Sequence, residues 1–133
     1  ELMKEAGAKR ALILPVSVPS HCSLMKQAAS EFKNSIDSVD FKMSDVKVIH
    51  NVDANYASDI NEIKSKLVEQ LHMPVLWTSS VNKMKDSGVE RLIEAGPGKV
   101  LIGLTRRIDK SLSASAIIDV SSLKSTIEEI SNA

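Results

Sequence analysis

Aromatic side chains are nearly absent: 133 residues hold one Trp, one Tyr and two Phe. A surface that stacks nucleic-acid bases has little to be built from. Charge of either sign is also missing as an excess, because 17 basic residues balance 17 acidic ones. The chain therefore offers no electrostatic footprint for nucleic acid or for an acidic membrane. A single cysteine, Cys22, excludes an internal disulfide framework and suits a reducing, cytoplasmic setting. No apolar run approaches the roughly 20 residues that span a bilayer, and no signal peptide opens the chain. What remains is 43% hydrophobic and 26% charged, ordinary for one globular domain long enough to bury a core. Residue 1 is Glu, and Leu2 to Ala6 followed by Gly7 has the pattern of a helix tail with a glycine stop. A helix tail at the very start predicts a piece of something longer.

Ala11-Leu12-Ile13-Leu14, stopped by Pro15, has the pattern of a buried strand. Ser20 is placed to cap an amphipathic helix reaching Asp37, striped by Met25, Ala28, Ala29, Phe32 and Ile36. Val46 to Ile49 is a second strand candidate. Asp59, with Glu62 as a capping-box partner, opens a helix striped by Ile60, Ile63, Leu67 and Leu71 and ended by Pro74. A shorter helix is expected from Thr78 to Asp86, a strand from Val89 to Ala95, and a tight turn at Gly96-Pro97-Gly98. A helix through Val100, Leu101, Leu104 and Ile108 carries Arg106, Arg107 and Lys110 at its end, where the dipole favours cations. Ser115 to Ile118 gives a last strand and Leu123, Ile127 and Ile130 stripe a closing helix. Alternating strands and helices indicate α/β architecture: a three-layer, mostly parallel sheet with flanking helices.

His21 is the first candidate for chemistry. It lies in a strand-loop-helix passage, where carboxyl-end loops of open α/β sheets line a ligand crevice. At a helix N-terminus the dipole would disfavour imidazolium and keep the ring neutral, as a general base requires. The adjacent Cys22 does not make a nucleophile pair with it, since neighbouring helical residues point about 100° apart; Cys22 is expected to pack as a small hydrophobe. A serine acyltransferase would show Gly-x-Ser-x-Gly, and none of Gly7, Gly88, Gly96, Gly98 or Gly103 frames a serine so. Gly96-Pro97-Gly98-Lys99 meets neither dinucleotide nor P-loop spacing and is expected to be a turn. His50, His72 and Asp53 lack metal-ligand spacing, so no metal and no cofactor are expected.

Leu14-Pro15-Val16-Ser17-Val18-Pro19-Ser20-His21-Cys22 resembles the histidine motif of the discrete bacterial malonyl-CoA:acyl-carrier-protein transacylases. Asn51-Val52-Asp53, Gln70-Leu71, Pro74-Val75-Leu76-Trp77 and Glu94-Ala95-Gly96-Pro97-Gly98-Lys99-Val100-Leu101 are similar to later landmarks of that family, in the same order. The resemblance covers essentially the whole chain, as a C-terminal portion of a longer enzyme. It implies that residues 1–16 end a ferredoxin-like small subdomain and that residues 17–133 form the C-terminal part of the large, α/β-hydrolase-like acyltransferase subdomain.

The implied activity belongs to fatty acid biosynthesis: malonyl transfer from coenzyme A to the phosphopantetheine thiol of acyl carrier protein, through a serine acyl-enzyme. In that scheme His21 is the catalytic acid/base and the Gln70 backbone carbonyl orients it. The implied partners are malonyl-CoA, acyl carrier protein and the missing N-terminal part of the same enzyme. The family's serine, oxyanion-hole glutamine and malonyl-binding arginine all precede this region, so the chain alone is expected to be inactive. The alternative is a truncated, non-catalytic module that binds carrier protein or a partner chain.

Overall fold

Two helices here begin at an Asp side chain and two end at a glycine. The computed structural model describes residues 1–13 and 15–132. Helix α1 (Leu2–Glu5) stops at Gly7, whose φ of +91° suits a residue without Cβ. Ala8 N–H reaches Met3 O and Gly7 N–H reaches Lys4 O, a Schellman stop. Helix α4 (Trp77–Asp86) ends the same way at Gly88, with Val89 N–H on Met84 O and Gly88 N–H on Lys85 O.

Helix α3 (Ile60–Glu69) is capped by Asp59, whose carboxylate accepts from Glu62 N–H at 2.8 Å. Glu62 does not complete the expected box on Asp59; its carboxylate takes the N–H and hydroxyl of Ser58, each at 2.7 Å. Helix α6 (Val120–Ser131) carries a full capping box between Asp119 and Ser122.

The architecture is α/β. Strands β3 (Arg91–Ala95) and β4 (Ser113–Ile117) pair in parallel, Arg91 opposite Ser113 through Ala95 opposite Ile117, with helix α5 (Val100–Ile108) as the crossover. Among the described residues the parallel sheet consists of these two strands. The second strand candidate is shorter than expected: β1 is only Ile49–His50, and it forms an antiparallel hairpin with β2 (Asn55–Tyr56). The hairpin loop Asn51–Ala54 closes with Ala54 N–H on His50 O and puts Ala54 at φ +54°.

The expected strand at Ala11 to Leu14 is corrected in part. Ala11, Leu12 and Ile13 have no regular structure, and Leu14 lies outside the described residues. A strand persists only where an edge satisfies its backbone groups, and no described residue pairs with this stretch. The helix expected from Ser20 also starts later, as a 3-10 turn at Ser23–Met25 that runs into α2 (Lys26–Asp37).

The core is thin. Ala29 and Ile36 of α2, Ala54, Val81 and Leu112 are its buried hydrophobic members, beside buried Ser80, Thr105 and Thr126. Meanwhile Leu12, Val46, Val48, Val100 and Ile127 are more than half exposed. An open cavity of about 550 Å³ runs between Val48 and Ile49, Trp77 and Met84 of α4, and Leu92 of β3. Exposed apolar surface of this extent drives association. The isolated 14.5 kDa chain is therefore expected to sediment as a mixture of self-associated species. A single sharp monomer boundary in sedimentation velocity would contradict that.

Candidate functional site

His21 stands at φ +62°, in the left-handed region, just ahead of the 3-10 turn. Non-glycine residues sit there at a cost of about 1–3 kcal/mol and stay only where their surroundings hold them. Two hydrogen bonds do so. The His21 backbone N–H donates to Leu71 O at 2.9 Å. Its ring Nδ1–H donates to Gln70 O at 2.7 Å. Gln70 is the C-cap of α3, so its carbonyl is one that the helix cannot satisfy internally, and Leu71 is the residue just beyond it. His21 is thus not in the first turn of α2, as the sequence suggests, because the end of α3 draws it out of helical geometry. The dipole that it meets through Nδ1 is the carbonyl end of α3, not the amide end of α2.

That contact has a chemical consequence. A carbonyl oxygen only accepts, so Nδ1 must carry the proton and the neutral ring leaves its lone pair on Nε2. The residue is exposed, which leaves Nε2 within reach of a reacting group. The structure therefore brings together residues 49 positions apart in the chain, His21 and Gln70.

Other candidates stand elsewhere. Cys22 is half-buried and donates its thiol to Pro19 O at 3.2 Å, with no bond to the imidazole. Asp53 serves the hairpin: it accepts from Asn55 N–H at 3.1 Å and pairs with Lys66 at 2.9 Å. His72 Nδ1 and Trp77 Nε1 are buried without a partner among the described residues. At Gly96-Pro97-Gly98 a carboxylate of this chain takes the place that a phosphate would need. Glu94 Oε2 accepts from Ile102 N–H at the start of α5, at 3.0 Å, and so occupies the positive end of that helix.

One group absent from the expectations is Lys66. Only 6% exposed, its ammonium spends all three donors: on Asp53 Oδ2 at 2.9 Å, Glu62 Oε1 at 2.8 Å and Tyr56 O at 2.7 Å. It bolts the hairpin to α3. Burial pulls its pKa down, but the bonds to Glu62 and Asp53 outweigh that and raise it. The bond from Lys66, followed by those from Ser58, lowers the Glu62 pKa to about 2. A cluster of Asn and Asp between Ile49 and Tyr56 is the turn signal that marks this hairpin in the sequence; nothing in the sequence marks Lys66 as buried.

His50, buried beside this cluster, has its pKa lowered by burial first and by the Lys66 charge second, against the opposing pull of Asp53 and Glu62. The folded state then holds fewer protons on His50 than the unfolded state does, so stability falls as pH drops through about 6.5, the unfolded value. Glu62 adds a separate loss below its ordinary range, continuing toward pH 2. Thermal melts are expected to drop between about pH 7 and 5, and His50→Gln should flatten that fall while leaving the acid loss below it. An unchanged slope in the variant would exclude His50 as the source.

No family model matches the chain. It is 50% identical over 125 residues to the malonyl CoA-acyl carrier protein transacylase of Escherichia coli strain K12, covering 94% of this chain and 40% of that protein. An acyl carrier protein S-malonyltransferase from Vibrio cholerae, solved at 1.7 Å, aligns at a TM-score of 0.86 with 54% identity, over 94% of this chain and 41% of that one. A malonyl transacylase solved with a type II polyketide synthase acyl-carrier protein aligns at 0.89 with 46% identity, over 95% and 41%. The chain resembles the C-terminal portion of these transacylases and spans about two fifths of their length.

Proposed function

We propose that the chain, kin to the malonyl-CoA:acyl-carrier-protein transacylases through sequence and fold, supplies the proton-transfer half of a malonyl transfer from coenzyme A to acyl carrier protein. The observation that carries this reading is the Nδ1–H bond from His21 to the Gln70 carbonyl. It fixes the tautomer whose Nε2 can take a proton, which is the property a general base needs. The names of the relatives support the acyl group and the acceptor, and the carrier-bound neighbour supports the partner.

The steps follow from that tautomer. Nε2 of His21 removes the proton of a serine hydroxyl as the serine oxygen attacks the malonyl thioester carbonyl. The carbon–sulfur bond breaks, and Nε2–H returns the proton to the departing coenzyme A thiolate. In the second half Nε2 deprotonates the phosphopantetheine thiol, whose sulfur attacks the acyl-serine ester, and the proton returns to the serine oxygen. The serine belongs to the part of the enzyme outside this chain, which contains no Gly-x-Ser-x-Gly.

In this reading residues 1–16 end the small subdomain and 17–133 belong to the large one. The cavity beside Trp77 and the exposed apolar residues are where the rest of the enzyme packs. An indole N–H left buried and unpaired costs about 1–3 kcal/mol, which favours a partner for Trp77 Nε1 from that source.

In the complete enzyme His21→Ala is expected to lower the rate of serine acylation by about 10²–10⁴, and unchanged turnover would refute the base assignment. Gln70→Ala should leave turnover near native, because the orienting atom is a backbone oxygen that alanine keeps. The isolated chain incubated with radiolabelled malonyl-CoA should stay unlabelled. A stable acyl adduct would show that it carries its own nucleophile.

A further inference from the structure

Helices α2 and α3 run antiparallel against one another, and polar bonds tie them at two separated places. At the first, His21, just before α2, bonds the carbonyl end of α3. At the second, Lys64 of α3 reaches across to the far end of α2, donating Nζ–H to Asp37 O at 3.2 Å and to Val39 O at 2.8 Å. Asp37 is the last residue of α2, so its carbonyl lacks an intrahelical partner, and an ammonium there also meets the negative end of the helix dipole. The Lys64 ammonium lies 5.2 Å from the centroid of the Phe41 ring, which restricts its freedom further. The other lysines of this region do different work. Lys33 pairs with Asp37 at 2.5 Å inside α2, and Lys66 joins α3 to the hairpin.

We propose that Lys64 is a positioning residue for His21: it fixes the axial register of α2 against α3 and so keeps Nδ1 on the Gln70 carbonyl. A slip of one helical residue moves the chain about 1.5 Å. Added to a 2.7 Å contact, a displacement of that size takes the pair out of hydrogen-bond range. Freed of the carbonyl, the ring can protonate either nitrogen, and Nε2 is no longer reserved as the acceptor. The proposal rests on the reading of His21 as the acid/base.

The test is a double-mutant cycle in the complete enzyme. Lys64→Met keeps the hydrocarbon stem and removes the donor. It is expected to lower kcat about tenfold while leaving the KM for malonyl-CoA near native. Lys64→Arg should restore most of the loss, and Lys33→Met, which breaks a bond within one helix, should cost nothing comparable. In a His21→Ala background Lys64→Met should have no further effect, since the ring through which it acts is gone. Equal losses in both backgrounds would make Lys64 a general stability residue and overturn the proposal, as would native kcat in Lys64→Met alone. The two readings fail separately. An unimpaired His21→Ala enzyme would sink the acid/base assignment and this proposal with it. An impaired one that is indifferent to Lys64 would sink this proposal only.

Discussion

A helix must dispose of its last carbonyls, and in this chain that obligation organises the site. The end of α3 could have been closed by a glycine, as α1 and α4 are closed at Gly7 and Gly88. There Leu71, His72 and Met73 N–H take Val68 O and Glu69 O, and the carbonyl of Gln70 is left to the His21 ring, with the His21 backbone N–H on Leu71 O just beyond. The cost is a histidine held in left-handed conformation. The return is an imidazole with a defined tautomer, anchored by its backbone as well as its ring. A neutral carbonyl orients the ring but would stabilise an imidazolium less than a carboxylate would.

The elements read from the sequence are those whose signals are local. Asp59 caps its helix where a short acidic residue precedes apolar periodicity, Leu123, Ile127 and Ile130 stripe α6, and Gly88 stops α4 where the pattern breaks. The β3–α5–β4 order follows from apolar runs separated by Gly96-Pro97-Gly98. Features that depend on a distant partner were not legible. Ala11 to Ile13 have a strand's composition but, among the described residues, no edge to pair with. Ser20 has a cap's composition, yet the bond from His21 N–H to Leu71 O delays the helix. Lys66 looks like any surface lysine until the hairpin folds over it. Gln70 entered only through family resemblance, because an orienting group made of backbone leaves no side-chain signature.

With so few fully buried hydrophobic residues, much of the relative placement of elements falls to directed polar bonds. Lys66 joins α3 to the hairpin, Lys64 joins α3 to α2, Lys85 pairs with Asp109 between α4 and the end of α5, and Asn51 O accepts from Leu76 N–H ahead of α4. The bonds from Lys85, then those from Ser111, keep Asp109 ionised well below the usual carboxylate range. Such bonds are more exacting than apolar contact, because distance and angle both matter.

The wide sequence spacing of the His21–Gln70 bond also sets when it can form. The paired residues of β3 and β4 are 22 positions apart, from Arg91 with Ser113 to Ala95 with Ile117, a shorter span to close. The imidazole bond joins residues 49 positions apart and must wait for the chain between them, two helices and a hairpin, to find its place. Loop-closure entropy grows with that span, and an exposed bond of this kind belongs to the low-stability end of local opening. The ring's fixed tautomer thus depends on the completed packing of α2 against α3 and goes wherever that packing opens.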